Sequence, residues 1–292
     1  MEVFYLNYFD DFPKLDKNSC TIGAFDGVHL GHISLINKTK ELGLKTLVIT
    51  FENLIKKNYQ LVTKEQKIKL IEELGVDYLI IFSFGAVEKV FFNEFIKMLK
   101  KINVKNIVCG DDFRFGFKRE GDIVDLKKHF KVHVLDYTKY NDTRVSTSII
   151  KELICDGHVE YATELLQREY KIIGEVIHGS KIGRKLGYPT ANIDYSIYLL
   201  PKNGVYVGKI KYNDSEYIGM INIGHNPTIN EQKERRLEVH ILDFNDEIYG
   251  EVLEISFIKF IRDEQRFNSK EELINKLEED YDICKKYKDM LK

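Results

Sequence analysis

The chain has no tryptophan, four prolines, four cysteines and almost no net charge, since 44 lysines and arginines face 46 aspartates and glutamates to leave −2. Each shortage excludes something. Cys20, Cys109, Cys155 and Cys284 are scattered with no paired spacing, so neither a zinc site nor a dithiol redox pair is encoded, and free thiols in a reducing compartment are expected. Residues 1–150 hold 23 basic and 20 acidic groups and the remainder 21 and 26, so neither half has the basic excess that binding nucleic acid demands. Apolar runs such as YLIIF are far too short to span a bilayer. The opening MEVFYLNYFDDFPKLD is acidic where a secretory leader is cationic. A cytoplasmic protein with neither nucleic acid nor membrane as partner is therefore expected.

What is present is core-forming material. Hydrophobic residues make up 43% of 292 residues, charged residues 31% and aromatics 12%, a globular composition on a chain longer than one core usually serves. From residue 18 to about 137, β-rich runs (CTIGAF, KTLVITF, YLIIF, KNIVCG, KVHVLDY) alternate with helical patterns such as TKEQKIKLIEELG and VEKVFFNEFIKMLKKI. That alternation predicts parallel βαβ units with ligands at the carboxyl ends of the strands. STSIIKELICDG and HVEYATELLQREY read as a helical connector closing the first domain near residue 168. After Tyr170, strand-like runs arrive close together between Gly, Asn, Asp and Pro turns, the pattern of an antiparallel barrel, and SKEELINKLEEDYDICKKYKDML ends the chain as a helix.

Two stretches carry chemistry. In TIGAFDGVHLGHISLI (21–36) the pattern reads strand, turn and helix, with His32 in the first helical turn. Backbone N–H groups at a helix start, backed by its dipole, suit an anion such as phosphate, and Gly31 lets a ligand approach the backbone. On spacing alone, two surface histidines around a turn glycine remain as good a reading as nucleotidyl transfer, in which two imidazoles donate to an α-phosphate while charge builds on its oxygens. In HGSKIGRKLGYPTANID (178–194), Gly179, Gly183 and Gly187 with Lys181, Arg184 and Lys185 suit wrapping phosphates. Thr190 and Asn192 alternate along an extended chain and so face one way, and hard oxygens on one side suit magnesium. Glu238, in RLEVHILDF, taken alone reads as an outward strand carboxylate.

These runs do not stand alone. VCGDDFRFGFKREGDIVDL (108–126), RVSTSIIKELICDGHVEYATELL (144–166), NIGHNPT (222–228), DFNDEIYG (243–250) and IRDEQRF (261–267) accompany them in order. From about residue 18 to 288 the whole resembles the bacterial bifunctional riboflavin kinase/FAD synthetases. The resemblance implies an α/β protein: a Rossmann-like nucleotidyltransferase domain with a parallel sheet over residues 1–168, then a riboflavin kinase domain over 169–292, an antiparallel six-stranded β-barrel with a C-terminal helix.

It implies further that His29 and His32 clamp the α-phosphate of ATP while FMN is adenylylated to FAD. Gly23, Phe25, Asp26 and Gly31, with Ser146, Thr147, Ser148 and Lys151, would line the nucleotide site, and Asp112, Arg114 and Gly116 the flavin side. In the second domain Gly179, Gly183, Arg184, Lys185 and Gly187 would hold nucleotide, and Thr190 and Asn192 magnesium with ATP. Glu238 would take the proton from the riboflavin 5′-hydroxyl, and Arg262 would lie in the flavin-side loop. Riboflavin, FMN, FAD and ATP are the small-molecule partners, with Mg2+ as cofactor. Two positions depart from the family pattern. TFENLIKKN (50–58) stands where the family has a Pro-His-Pro element, leaving Lys56 or Lys57 to supply charge, and Lys151 stands where arginine is common. A riboflavin kinase with a weakened first domain, a non-catalytic flavin-binding regulator and, disfavoured by the second half, a class I aminoacyl-tRNA synthetase are the alternatives.

Overall fold

The computed structural model describes residues 1–7, 12–52, 59–83, 89–179, 183, 186–225 and 235–290. The expectations attached to Lys56, Lys57, Lys181, Arg184 and Lys185 lie outside the described residues. Contacts divide the chain into two units, Met1–Ile149 and Ile150–Lys292.

The first unit runs β1 (Glu2–Leu6), β2 (Asn18–Ile22), α1 (Leu30–Glu41), β3 (Lys45–Phe51), α2 (Lys64–Glu73), β4 (Tyr78–Phe82), α3 (Phe92–Lys101), β5 (Val104–Gly110), α4 (Ile123–Lys127) and β6 (Lys131–Leu135). The six strands pair in parallel in the order β1-β4-β3-β2-β5-β6. Both sheet faces are covered, as a parallel sheet requires. Ile36 of α1 and Ile71 of α2 pack with Val48, Leu79 and Ile81 on one face. Phe95 and Leu99 of α3 and Leu126 of α4 pack with Cys20, Leu47, Ile80 and Phe82 on the other. The chain steps from β2 to β3 and β4 in one direction and from β5 to β6 in the other. The crevice between the carboxyl ends of β2 and β5 is therefore the switch point where such sheets bind ligands. A two-strand hairpin, β7 (Lys139–Tyr140) and β8 (Thr143–Arg144), turns through Asn141 and Asp142, both at positive φ.

The helices α5 (Thr147–Cys155) and α6 (Val159–Leu166) were expected to close the first domain at 168, whereas the contacts divide the chain at 149/150. The physical reason is α6, which buries Val159, Ala162, Leu165 and Leu166 and packs on β9 and β14 of the barrel. The second unit continues with β9 (Tyr170–Ile177), β10 (Ala191–Ile193), β11 (Gly204–Tyr212), β12 (Ser215–His225), β13 (Arg235–Ile241), β14 (Val252–Asp263) and α7 (Lys270–Met290). Its strands close into a barrel in the order β10-β13-β12-β11-β14-β9, antiparallel throughout. The expected α/β class, six-stranded antiparallel barrel and C-terminal helix are all present. Cys284 of α7 is buried with Val205, Val207, Ile218 and Met220, fixing that helix on β11 and β12.

Candidate functional sites in the two units

The turn after β2 is built from residues in the left-handed region: Phe25 (φ 50°), Gly27 (84°) and Val28 (39°). It delivers His29 as the N-cap of α1 with extended backbone. The two histidines cap one another. The His32 N–H donates to His29 Nδ1 and the His29 N–H donates to His32 Nδ1, each at 3.4 Å, and the rings stack with centroids 3.7 Å apart. A ring nitrogen that accepts from a backbone N–H carries no proton, so in the neutral rings both protons sit on Nε2. The capping geometry thus selects the tautomer in which each imidazole presents an Nε2–H donor. Phe25, fully buried, lies 4.8 Å from the His32 ring. A Cβ on Gly31 would come within 3.2 Å of the His29 ring, so glycine keeps that face of the helix start open.

Around this turn the structure assembles several of the expected residues. The carbonyl of Asp26 accepts from Thr147 Oγ1 (3.2 Å), its carboxylate accepts from the Leu61 N–H (3.0 Å), and the Gly23 N–H is held by Ile49 O (3.1 Å). Ser146 Oγ accepts from the Ile149 N–H at the start of α5. Ser148 is exposed, and Lys151 falls in the second unit. Asp112 follows the end of β5, so it shares the carboxyl edge of the sheet with the histidines, and it pairs with Arg144 at 2.9 Å. Arg114 reaches Asp122 at 3.4 Å, and Gly116 turns at φ 78°.

In the barrel, strand register brings distant residues into one row. Asn192 of β10 pairs with Glu238 of β13, Glu238 with Asn222 of β12, Asn222 with Val205 of β11, and Val205 with Arg262 of β14. Directly paired residues present their side chains on the same face, so Glu238 stands between two asparagines. Burial pushes the Glu238 carboxyl up from its usual range, against the opposing pull of Arg236. A Cβ on Gly179 would lie 2.0 Å from Asn192 Nδ2, and one on Gly183 would lie 2.3 Å from Tyr188 O, so both glycines are required by close approach. Gly187 sits at φ 89° with open space around it. His240, two residues beyond Glu238, donates through Nδ1 to Pro189 O (2.8 Å) and so pins the start of the Thr190–Asn192 segment. Beside Thr190 opens a cavity of about 300 Å³ walled by Val176, Ala191, Val239, Ile241, Phe244 and Tyr249.

Arg262 is not directed at open surface. Its guanidinium is bidentate to Asp280 of α7, donates to Asp263 O and lies over the Phe267 ring, leaving its side chain 13% exposed. Asn222, within NIGHNPT, carries no site signal of its own in the sequence, because only register reveals that it faces Glu238. Phe244 and Tyr249 lie in DFNDEIYG, which by itself gives no sign that they wall a cavity.

Comparison with known proteins agrees along the whole chain. The family described as FAD synthetase matches residues 12–149 and the family described as riboflavin kinase matches residues 166–288. Proteins named bifunctional riboflavin kinase/FMN adenylyltransferase are similar over nearly full length. That of Buchnera aphidicola subsp. Schizaphis graminum is 38% identical over 95% of this chain and 96% of its own, and that of Listeria monocytogenes is 36% identical over 96% of each. The Escherichia coli K12 protein is 34% identical over 87% of each. A solved structure described as a macrolide-efflux protein from Streptococcus pneumoniae superimposes with a TM-score of 0.88 at 28% identity, covering 97% of this chain and 98% of its own. Among the described residues no helix is long and apolar enough to cross a membrane.

Proposed function

From the premise that the chain belongs to the bifunctional riboflavin kinase/FMN adenylyltransferase family, we propose which of its residues perform each reaction. The protein phosphorylates riboflavin to FMN and adenylylates FMN to FAD, and the kinase-only and non-catalytic alternatives fall away because both families match.

For the kinase, the arrangement that carries the reading is Glu238 paired between Asn192 and Asn222. Glu238 takes the proton of the riboflavin 5′-hydroxyl as that oxygen attacks the γ-phosphorus of ATP, and ADP leaves. A carboxylate that burial has made more basic suits this role. The cavity beside Thr190, with the Phe244 and Tyr249 rings and the polar Asn245 on its wall, takes the base of the nucleotide, and Gly179, Gly183 and Gly187 let the chain close on its phosphates, with Arg184 and Lys185 supplying charge. Magnesium suits the donors present, a hydroxyl and an amide oxygen from Thr190 and Asn192, and bound with ATP it would neutralise charge on the transferring phosphates. Arg262 acts on the flavin side through the segment it holds against Asp280.

For the adenylyltransferase, the reciprocal capping of His29 and His32 carries the reading. A phosphate oxygen of FMN attacks the α-phosphorus of ATP, pyrophosphate leaves, and the two Nε2–H groups donate to the α-phosphate oxygens as charge builds there. The N-terminus of α1 and the hydroxyls of Ser146, Thr147 and Ser148 complete the nucleotide site, and Asp112, Arg114 and Gly116 the flavin side. The free thiols, three buried and Cys155 exposed, accord with a reducing cytoplasmic compartment.

The experiment is to incubate the purified protein with ATP and either riboflavin or FMN, with magnesium and with a chelator, and to separate the flavins. FMN and FAD formation, both lost with the chelator, is the expected result. FMN without FAD would remove the histidine clamp from the mechanism.

A further inference from the structure

We infer that Lys67, which touches no substrate in the mechanism above, is a positioning residue for adenylyl transfer, tying the turn that carries His29 to the end of β3. The inference rests on the assignment of His29 and His32 as the α-phosphate clamp.

Lys67 lies in the first turn of α2 and is 2% exposed, on the same side of the helix as buried Ile71. A buried ammonium is retained only where its donors are used. Here Nζ donates to Ala24 O at 2.9 Å and to Phe51 O at 3.2 Å. Ala24 O accepts a second bond from Thr50 Oγ1 at 3.0 Å. Ala24 stands where the chain leaves β2, between Gly23 and the first left-handed residue, Phe25, while Phe51 is the last residue of β3. One cation therefore fastens together the carboxyl ends of the two central strands at the base of the His29 turn. The segment leading into α2 holds the same turn a second time, through the Leu61 N–H on the Asp26 carboxylate. That carboxylate also steadies the ammonium, which burial lowers to about 8.

The chemical consequence is alignment. Donors to a developing charge act only if held where that charge appears, and a displacement of about 1 Å costs on the order of 10²-fold in rate. A neutral aliphatic side chain of the same length would remove the Nζ donor from both carbonyls, leaving Ala24 O with Thr50 Oγ1 alone, and free the turn to shift.

The test measures kcat and KM for FAD formation by the full-length wild type, Lys67→Met, Lys67→Arg, His29→Ala and His32→Ala, together with amide hydrogen exchange. Lys67→Met is expected to lower kcat about tenfold or more, to change KM for ATP by less than about threefold, and to quicken exchange in residues 23–28 but not in the strands. Lys67→Arg, which keeps the donors, should recover most of kcat. Wild-type kcat in Lys67→Met, no recovery in Lys67→Arg, or exchange quickened through the whole sheet each overturns the inference, the last by making Lys67 a residue of general stability. If the two histidine variants retain FAD formation, the clamp reading fails and this inference with it. If they lose it while Lys67→Met does not, only this inference fails.

Discussion

Glu238 combines burial with a nearby cation, and burial prevails, so its carboxyl titrates above the usual 4.5. The sign of two effects follows. Because ionisation is harder in the folded protein, the charged form costs stability as pH rises through the carboxylate range, and Glu238→Gln removes that cost. The variant should therefore melt at the wild-type temperature or above at pH 7 while FMN formation falls by about 10²–10⁴, a range typical of a lost general base. In the wild type, kcat/KM for riboflavin phosphorylation should decline on the acid side with a midpoint above 4.5, and calorimetry with a pH-rate profile checks both expectations. Glu238 itself was legible in the sequence through its run, LEVH. Its neighbours were not, because Asn222 reads as one more exposed strand residue until register sets it opposite the carboxylate.

At the scale of elements, α1 shows a cap that serves two purposes. His29 closes the helix start and, in the mechanism proposed, donates to phosphate, and two substitutions separate these. His29→Ala should cost about 1 kcal/mol of unfolding free energy, the value of a typical cap, and lower FAD formation by about 10²–10³, the cost of removing one preorganised donor. His29→Ser keeps an oxygen able to accept from the helix start, so it should restore the stability but not the rate, with FMN formation normal in both. Denaturant unfolding and flavin chromatography distinguish the cases. The helix α7, packed on β11 and β12 through Cys284, is also tied to β14 by the Arg262–Asp280 pair, whose side chains are 13% and 1% exposed. Asp280→Ala leaves a guanidinium uncompensated and should cost roughly 3–5 kcal/mol, read as an earlier urea transition of the barrel. Elements with strong patterns were legible: the YLIIF, KTLVITF and RLEVHILDF strands lie where expected. β1 and β10 were not. Glu2–Leu6 carries no clear alternation and takes its place by pairing with β4, and Ala191–Ile193 is too short to have a period and exists only because the barrel closes through it.

At the scale of the molecule, two cores in one chain make the units separable, and the contacts say where to cut. A fragment of residues 147–292 keeps α6, whose Val159, Leu165 and Leu166 are buried. Burial of that kind contributes about 1.5–3 kcal/mol per side chain, a large share of a domain's stability. The fragment should fold and phosphorylate riboflavin, whereas residues 169–292, stripped of α6, should be markedly less stable; solubility, melting temperature and FMN formation decide. The sequence by itself determined the order of motifs and the change from alternating strands and helices to closely spaced strands, and with them the fold class, because composition, periodicity and turn chemistry are local properties, whereas both activities followed from the resemblance of its runs to the family. Only the tertiary structure decided that the two histidines accept from each other's backbone N–H through Nδ1, that Lys67 is buried under the His29 turn, that Arg262 is spoken for by Asp280, and that α6 belongs with the barrel. Each of these depends on backbone geometry or on a contact across the fold, and a buried lysine in KEQKIKLIEE looks like its exposed neighbours until the carbonyls it serves are brought to it.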